Sequence, residues 1–341
     1  MTIRVAVVTE LRGWMGLDLN KAPFQIPGVY FQKIIPQAPS FAVGSSAISN
    51  LREMVDGAEI VIGDPPLIGP HWYNMPPSVK WIQSTWAGVD HLCKKFLTQS
   101  KPSPHFTFTR LGSGFGVPMA EYTLGQIIAM ERHFHQYTGD QAEKKWVWRE
   151  RDYGGYRMLG DLTVGILGVG VIGQTIAKYC KSLGMTVCGL VRKEIPVDQR
   201  SPVIDQYYLR HSLTNLLQRC DYICNVLPST DATRNLLSDN LLSSCKPKAR
   251  FINTGRGDVI SDESLLEALR QGWIDYAVLD VCNTEPLPRD SPLWEHPRVT
   301  ITPHIAAIST PSTIMETFKE NLELYRQGKE LKYQVDWTQG Y

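Results

Sequence analysis

Side chains able to bind anions and transfer protons follow several of the apolar runs that the sequence predicts as strands. Because the carboxyl ends of parallel strands meet at one edge of a sheet, groups that follow different strands are expected to lie close together. A guanidinium can hold a carboxylate in two places, and an imidazole beside a carboxylate can act as an acid or a base. The groups are Arg256 and Asp258 after run 250–253, Asp280, Asn283 and Glu285 after run 274–279, and His304 after run 299–302.

A glycine-rich stretch, Gly168-Val-Gly170-Val-Ile-Gly173, follows another apolar run and opens a helical pattern. In a dinucleotide-binding unit the first glycine makes the tight turn, the second admits a diphosphate, and the third lets the helix pack on the strand. The amides at the start of the helix then face the anion. The same spacing also occurs in ordinary turns, but here strand, loop, helix and the small Ala177 are all present. The sequence therefore predicts a dinucleotide site formed by Gly168, Val169, Gly170, Val171, Ile172 and Gly173.

The residues after the second strand of this unit bear on which dinucleotide binds. An NAD site usually has an acidic residue there for the ribose 2′-hydroxyl. This chain instead has Arg192 and Lys193, and its first acid is Glu194. Two cations are suited to the 2′-phosphate of NADP, although they also fit an exposed basic turn. We therefore expect NADP as the preferred cofactor, with NAD as the alternative.

Strands that alternate with helices must position these groups. This alternation is typical of a parallel sheet with helices on both faces, so it predicts a doubly wound dinucleotide-binding domain over residues 118–307. Pro118 suits the first turn of a long connecting helix. The other predicted strands of this domain are 162–167, 186–191, 207–209 and 222–226, and the predicted helices are 211–219, 236–243 and 261–271.

A second, smaller α/β domain is expected before residue 118. Its four predicted strands are 4–9, 59–63, 80–85 and 106–109, separated by Pro-rich turns. The last helical pattern, 312–328, cannot belong to the dinucleotide-binding sheet, so we expect it to fold back on the first domain. The substrate domain would then be discontinuous and would consist of residues 1–117 with 308–341.

Composition and charge limit the partners of the protein. A chain of 341 residues is too long for one ordinary core. The net charge is +1 and no Lys/Arg run stands out, so we expect no nucleic-acid partner. No segment is apolar over the length that spans a bilayer, so we expect no membrane association. The seven cysteines are odd in number and lie mostly in apolar runs, which favours buried thiols in the cytoplasm. Their spacing does not suit a metal, and none is expected.

These motifs resemble the D-isomer-specific 2-hydroxyacid dehydrogenases, and most closely the glyoxylate/hydroxypyruvate reductases among them. The resemblance covers nearly the whole chain. It implies a Rossmann cofactor domain with a smaller flavodoxin-like substrate domain, and it implies a homodimer. The motifs that carry it are the glycine loop, Asn253-Thr-Gly-Arg256-Gly, Leu279-Asp280-Val followed by Glu285-Pro-Leu-Pro, and Thr302-Pro-His304.

The resemblance also implies roles for individual residues. The catalytic residues would be Arg256, Glu285 and His304. Asp280 would orient the nicotinamide carboxamide, and the loop Trp86-Ala87-Gly88-Val89 would bind the substrate carboxylate together with Arg256. The remaining cofactor-binding residues would be Arg192, Lys193, Leu227, Pro228, Ser229, Asn253, Thr254, Gly255, Asp280, His304 and Ala306.

The chemistry of the residues agrees with these roles. Hydride addition to a 2-oxo carbon places negative charge on the carbonyl oxygen, and histidine has the pKa best suited to supply a proton there. A carboxylate at Glu285 would favour the imidazolium form of His304. Arg256 would grip the substrate carboxylate with a geometry that lysine lacks. The competing structural interpretation is an ion pair near a strand end, with His304 capping the next helix.

Departures from related families narrow the substrate. Formate dehydrogenases resemble this chain but have Gln at the position of Glu285, which disfavours formate. The bulky Trp86 suggests a small pocket suited to glyoxylate or hydroxypyruvate. We therefore expect an NADPH-dependent reductase that converts these small 2-oxo acids to D-2-hydroxy acids. The alternatives are an NADH-preferring dehydrogenase of the family and a cofactor-gated binding protein that resembles the C-terminal-binding corepressors.

Overall fold

The chain divides into two compact units, which consist of Met1–Gly114 with Ser309–Tyr341 and of Phe115–Ile308. The structure is a computed structural model. It describes residues 2–10, 18–19, 21, 24–34, 48, 50–89, 92, 104–146 and 155–337.

The first unit contains a five-stranded parallel sheet in the order β2-β1-β3-β4-β5. Its middle strand, Ile60–Gly63, is apolar and buried along its whole length, as is typical of a parallel strand covered on both faces. Short helices α1 (Leu51–Met54) and α2 (Pro65–Ile68) lie between its strands. The strands are β1 (Ile3–Val8), β2 (Val29–Ile34), β3 (Ile60–Gly63), β4 (Trp81–Ser84) and β5 (Thr107–Thr109).

One strand of this sheet, β2, is absent from the sequence-based prediction. It pairs with β1 over six residues at the edge of the sheet. An edge strand has one strand neighbour, so its sequence need not be uniformly apolar. In β2 only Phe31 and Ile34 are buried, while Gln32 and Lys33 interrupt the apolar pattern.

The second unit contains a seven-stranded parallel sheet in the order β12-β11-β10-β9-β6-β7-β8. Strands β7 and β9 flank β6, so the strand order reverses there, and ligands bind at such a switch point in doubly wound folds. The doubly wound fold class predicted from the sequence is confirmed. The strands are β6 (Thr163–Leu167), β7 (Thr186–Val191), β8 (Gln206–Leu209), β9 (Tyr222–Asn225), β10 (Arg250–Asn253), β11 (Tyr276–Leu279) and β12 (Val299–Ile301).

The helices of the second unit agree with the predictions at most positions. The connecting helix begins two residues before Pro118 and ends at Glu131, because His133 adopts a left-handed backbone with a φ of 56°. A separate helix then follows. The helices are α3 (Gly116–Glu131), α4 (Phe134–Ala142), α5 (Val171–Ser182), α6 (Leu213–Leu217) and α7 (Asp262–Arg270).

The predicted helix over residues 236–243 is wrong, because only a 3-10 turn forms there, over Leu241–Ser244. The amides of Asn235 and Leu237 donate to the carbonyls of Asp258 and Val259, at 2.7 and 2.9 Å. These tertiary bonds hold the backbone in place of the helical i to i−4 pattern. A helical periodicity of apolar residues does not reveal such a competitor.

The last helix, α8 (Pro311–Arg326), packs against the sheet of the first unit. The ring of Phe318 stacks on Trp81 of β4 with centroids 5.2 Å apart, and the hydroxyl of Tyr325 donates to Glu59 at 2.8 Å. Thr310 caps the helix by accepting from the amide of Thr313. Among the described residues, no helix combines the length and apolar character needed to cross a bilayer.

Candidate active site

The glycine loop links β6 to α5 and shows why each glycine is required. Gly168 has a φ of +104°, which side chains other than glycine rarely adopt. A Cβ on Gly173 would lie 2.0 Å from the carbonyl oxygen of Gly168, so the helix could not pack this closely with a larger residue. Gly170 is the N-cap of α5, and a Cβ built there would meet nothing within 4 Å.

The space over Gly170 matches the requirements of a diphosphate. The loop residues Gly170 and Val171 are exposed, and the first amides of the 12-residue helix α5 have no intrahelical acceptor. A Cβ at position 170 would project into the open space where an anion could approach these amides. The loop therefore fits a dinucleotide diphosphate.

Two further loops at this edge of the sheet are held by a buried pair of asparagines. Asn225 ends β9 and Asn253 ends β10, and the Nδ2 of Asn225 donates to the Oδ1 of Asn253 at 2.9 Å. The same Oδ1 accepts from the amide of Gly255 at 3.3 Å, and the Oδ1 of Asn225 accepts from the amide of Leu227 at 3.2 Å. The amide groups of both side chains thus shape the loops 227–229 and 253–255.

Close packing also explains the residues around this pair. A Cβ on Gly255 would lie 2.9 Å from the backbone nitrogen and oxygen of Leu227. Pro228 is exposed at the rim, whereas Ser229 is buried and its hydroxyl donates to the carboxylate of Asp258 at 2.5 Å. Thr254 is buried beside Asn225.

Arg256 lies directly after this loop and is half-buried. Its Nη1 donates to the carbonyl of Gly255 at 2.8 Å, and its own carbonyl accepts from the Nδ2 of Asn253 at 3.1 Å. A Cβ on Gly257 would lie 2.0 Å from the carbonyl of Cys282, so the backbone after Arg256 passes close to the segment that leads to Glu285. This approach brings the segments that carry Arg256 and Glu285 to one part of the unit.

Glu285 and His304 form a hydrogen-bonded pair in the segments that follow β11 and β12. The Oε2 of Glu285 and the Nδ1 of His304 are 2.8 Å apart, and the Oε1 of Glu285 accepts from the amide of Cys282 at 3.1 Å. The side chains are 40% and 51% exposed, so the pair is reachable from solvent. With Nδ1 engaged by Glu285, Nε2 is the nitrogen that can face a reacting molecule.

The pKa values of the pair shift in the directions that proton donation needs. The hydrogen bond that His304 donates to the carboxylate of Glu285 raises the pKa of His304, and the burial of the imidazole and the positive charge of Arg256 oppose this effect. Burial acts to raise the pKa of Glu285, but the bond and charge of His304, with smaller effects of Cys282 and Arg256, lower it overall. Because Arg256 acts on both groups, all three charges share one electrostatic environment.

Asp280, at the end of β11, is buried with 2% exposure and organises the turn that carries His304. Its Oδ1 accepts from the hydroxyl of Thr302 at 2.6 Å and from the amide of Ile305 at 2.8 Å, and its Oδ2 accepts from the amide of Ala306 at 2.9 Å. A carboxylate offers about four acceptor positions. Among the hydrogen bonds of the described residues, one acceptor position on Oδ2 is therefore not filled.

The same turn imposes an unusual backbone on His304. Its φ is +56°, in the left-handed region that costs a residue with a Cβ about 1–2 kcal/mol. Its amide donates to the carbonyl of Asp280 at 2.8 Å, which fixes this conformation. Strained backbone of this kind is common at functional sites.

The basic residues predicted to select the cofactor follow β7. Arg192 and Lys193 are both exposed, immediately after Val191 ends the strand next to β6. The position corresponds to the place where the ribose of a dinucleotide binds in such sheets.

The predicted substrate loop belongs to the first unit and follows β4. The Ser84 hydroxyl accepts from the amide of Trp86 at 2.9 Å and donates to its carbonyl at 2.9 Å, which makes a tight turn. Trp86 is 37% exposed, Ala87 and Gly88 are half-exposed, and Val89 is buried. The next residue of the motif, Asp90, lies outside the described residues.

Comparison with known proteins decides the family. A family model described as D-isomer specific 2-hydroxyacid dehydrogenase, NAD binding domain, matches residues 124–306, more than half of the chain. The chain belongs to the D-isomer specific 2-hydroxyacid dehydrogenase family. The predicted family is therefore confirmed, and with it an oxidoreductase that uses a nicotinamide cofactor.

Solved structures of the family resemble this chain over its whole length. A D-isomer specific 2-hydroxyacid dehydrogenase family protein from Aeromonas salmonicida is 29% identical, with a TM-score of 0.81 over 99% of this chain and 100% of that chain. A D-isomer specific 2-hydroxyacid dehydrogenase from Xanthobacter autotrophicus, crystallised with NADPH and MES, is 25% identical with a TM-score of 0.75 over 100% of both chains.

A third solved structure is similar in fold. An NADPH-dependent glyoxylate/hydroxypyruvate reductase from Sinorhizobium meliloti, crystallised with NADP and sulfate, is 24% identical, with a TM-score of 0.77 over 100% of both chains. At this identity the similarity shows the fold alone.

Two residues that build the site, Asn225 and Thr302, were given no role of their own in the sequence analysis, although Thr302 belongs to one of the motifs. Asn225 and Thr302 contact other site residues through side chains that end or follow strands. A polar residue at the end of an apolar run was the available signal for both. Which partner each side chain selects depends on the strand order, and a single sequence does not state that order.

Proposed function

We propose that this protein reduces small 2-oxo acids, glyoxylate and hydroxypyruvate among them, to D-2-hydroxy acids with NADPH. The observation that supports this most is the Glu285–His304 pair, 2.8 Å long, in the electrostatic environment of Arg256 and in the same unit as the glycine loop. Membership of the family supports hydride transfer to a 2-oxo carbon. The nicotinamide supplies the hydride when it is bound.

The proton in this reaction comes from His304. Glu285 raises the pKa of the imidazole, so the protonated form persists to higher pH than in an isolated histidine. The imidazolium donates its Nε2 proton to the substrate oxygen as negative charge develops there. Because Glu285 remains ionised, it stabilises the imidazolium and fixes the ring orientation.

Arg256 binds the substrate carboxylate and polarises the carbonyl group. The Nη1 of Arg256 already donates to the carbonyl of Gly255, which limits the guanidinium to few orientations. The backbone of Trp86, Ala87, Gly88 and Val89 is part of the proposal as a substrate-binding loop, on the strength of the family resemblance.

The cofactor site proposed here uses the glycine loop for the diphosphate and the loops 227–229 and 253–255 for the rest of the molecule. Asp280 offers its remaining acceptor position on Oδ2 to the nicotinamide carboxamide. Arg192 and Lys193 bind the 2′-phosphate, and the relative from Xanthobacter autotrophicus, which was crystallised with NADPH, supports this preference.

The proposal extends to location and assembly. All six cysteines among the described residues are free thiols, and four of them are buried, which supports a reducing compartment such as the cytoplasm. Exposed aromatic side chains on and after α4 support a homodimer: Phe134 is 54% exposed and Trp146 is 84% exposed. Light scattering coupled to size-exclusion chromatography tests the dimer directly.

A substrate panel tests the proposed activity. Oxidation of NADPH and of NADH is followed with glyoxylate, hydroxypyruvate, pyruvate and larger 2-oxo acids. We expect turnover of glyoxylate and hydroxypyruvate, with the D-enantiomer as product where the product is chiral. Absence of turnover with every 2-oxo acid and both cofactors would refute the activity.

The variant Arg192→Ala tests the cofactor preference. Loss of a charged hydrogen bond to the 2′-phosphate is expected to lower kcat/KM for NADPH by about 10- to 100-fold. The value for NADH should stay within about twofold, since NADH has no group for Arg192 to bind. Arg200→Ala is the matched control, because Arg200 lies over the ring of Tyr207 in the segment after Arg192. Equal losses for NADPH and NADH in Arg192→Ala would contradict the assignment.

A further inference from the structure

A chain of hydrogen bonds leads from helix α3 to the turn that carries His304. The hydroxyl of Tyr122 lies 2.6 Å from the hydroxyl of Thr302, and this hydroxyl lies 2.6 Å from the Oδ1 of Asp280. A hydroxyl has one proton, and an ionised carboxylate only accepts. Thr302 therefore donates to Asp280, and Tyr122 must donate to Thr302. The number of available protons therefore fixes the donor and the acceptor in each of these two hydrogen bonds.

The far end of the chain is the buried carboxylate of Asp280. Besides Thr302, it accepts from the amides of Ile305 and Ala306, the two residues that follow the left-handed His304. The direction in which the His304 imidazole points is thus set by a carboxylate, and Thr302 is one of its three donors. If the hydroxyl of Thr302 turns away, Oδ1 loses one of its two bonds.

Tyr122 is suited to hold Thr302 in this orientation. Burial, reinforced by the negative charge of Asp280, raises the pKa of the phenol to about 12, so it remains a donor throughout the range in which the protein would work. Its hydroxyl fills an acceptor position of Thr302, so the threonine proton is directed at Asp280. Tyr122 and Asp280 are separated by many residues in sequence and belong to different elements of the second unit.

We propose that Tyr122 is a positioning residue for His304 and acts through Thr302 and Asp280. This inference rests on the proposed function to the extent that His304 is taken as the proton donor. Tyr122 itself need not touch the substrate. Its contribution is to keep the imidazole aligned with Glu285, which the short hydrogen-bonded distance of that pair requires.

A second tyrosine–threonine pair in the protein, next to the first, provides a matched control. The hydroxyl of Tyr276 lies 2.9 Å from the hydroxyl of Thr300, which is two residues before Thr302. This second tyrosine–threonine pair joins β11 to β12 and contacts neither Asp280 nor the 302–306 turn in the hydrogen bonds of the described residues. Each Tyr→Phe change removes a phenol hydroxyl that is hydrogen-bonded to a threonine. Only the change at Tyr122 breaks a series of hydrogen bonds that leads to the turn of His304.

The experiment compares Tyr122→Phe with Tyr276→Phe in the full-length protein. For Tyr122→Phe we expect kcat to fall about three- to tenfold, the range that corresponds to one hydrogen bond, with KM for the 2-oxo acid within about twofold. The pH above which kcat falls should move down, because a poorly aligned Glu285 raises the pKa of His304 less. Tyr276→Phe should leave kcat and its pH profile unchanged.

Substitutions at Thr302 provide independent support. Thr302→Val removes the hydroxyl that Tyr122 orients, so it should reproduce the lower kcat and the shifted profile, whereas Thr302→Ser should restore both. In the double variant Tyr122→Phe/Thr302→Val the effects on kcat should not add, because both changes interrupt the same series of hydrogen bonds. These variants also decide the matter if Tyr122→Phe fails to fold.

A measurement without turnover separates this inference from the proposed function. The His304 ring signals in an NMR titration are assigned by their loss in His304→Asn. The pKa of His304 should be lower in Tyr122→Phe than in the wild type and unchanged in Tyr276→Phe. If the wild type shows no turnover but this shift is found, the proposed function fails and the positioning role stands. Identical titrations in all three proteins, or equal losses of kcat in the two Tyr→Phe variants, would overturn the inference.

Discussion

The two edges of the seven-stranded sheet use charged residues in opposite ways. At the amino edge, Glu131 and Asp221 are each 3% exposed and are surrounded by cations. At the carboxyl edge, Glu285 and His304 are paired with each other but are about half exposed. Both edges contain carboxylates near arginines, so residue types alone do not distinguish them.

The amino edge is a closed network. Glu131, at the end of α3, accepts from Arg157 at 2.6 Å, from Arg250 at 2.8 Å and from the hydroxyl of Tyr222 at 2.6 Å. Asp221 accepts from Arg157 at 2.9 Å. Burial acts to raise the pKa of Glu131, but these hydrogen bonds and charges lower it overall. Each carboxylate is matched by donors of the protein, so the network ties α3 to the sheet.

At the carboxyl edge, some hydrogen-bonding positions are not used by the described residues. His304 is held in a strained left-handed backbone, and its Nε2 is directed away from Glu285. In the described part of the chain, three donors bind the carboxylate of Asp280, which leaves one of its four acceptor positions. The difference teaches that a network with satisfied buried charges stabilises the fold, whereas partly exposed charges on a strained backbone are suited to chemistry.

The largest effect expected from this comparison is on catalysis at the carboxyl edge. His304→Asn should lower kcat by about 10²–10⁴-fold, the contribution of a general acid. Asparagine tolerates a positive φ better than most residues, so the turn should persist. Steady-state kinetics give kcat, and thermal unfolding gives the stability.

The melting temperature of His304→Asn should remain close to that of the wild type. A near-wild-type kcat would remove His304 from the role of proton donor. A large loss of stability would mean that the carboxyl edge is structural, and the contrast between the two edges would fail.

The next largest effect is on stability at the amino edge. Glu131→Gln leaves Arg250 without its buried carboxylate partner and leaves Arg157 with Asp221 alone, so we expect the free energy of unfolding in urea to fall by about 3 kcal/mol at pH 7. kcat should change by less than about threefold. Glu267→Gln is the control, because Glu267 pairs with Arg270 on the exposed face of α7 and should change stability little.

The stabilisation by Glu131 should also depend on pH. Its pKa is lowered by folding, so its contribution is complete above the unfolded pKa, near 4.5, and is lost as the pH falls through the folded value. The wild type and Glu131→Gln should therefore converge in stability at acid pH. A constant difference down to pH 3 would show that the charge of Glu131 is not what stabilises the fold.

The smallest effect sharpens the description of the carboxyl edge. Glu285→Gln removes the main cause of the raised pKa of His304, so the imidazole should lose its proton at lower pH. Reduction needs the protonated form, and the fall in kcat with rising pH should therefore begin earlier. Relative to the wild type, the loss of kcat in Glu285→Gln should be larger at pH 8 than at pH 6. At pH 6 it should be smaller than the loss of kcat in His304→Asn. An unchanged pH profile would contradict the electrostatic role of Glu285.

The elements of the sheets were largely predictable, because a buried parallel strand is a continuous apolar run between turns. The strands on which Arg256 and Asp280 depend were predicted in this way. Strand β2 was missed because an edge strand carries polar residues, and the helix over 236–243 was wrong because its amides bond to a distant loop. Neither cause leaves a periodic signal in the sequence.

The sequence by itself determined the family, the doubly wound fold and the types of residue at the strand ends, since these depend on local periodicity and short motifs. Only the tertiary structure decided which polar side chains pair. It gave His304 its left-handed backbone and joined Tyr122, Thr302 and Asp280, and it enclosed Glu131 among cations from distant parts of the chain. The physical reason is that hydrogen bonds between side chains act over about 3 Å in space, whatever the separation of the residues in sequence.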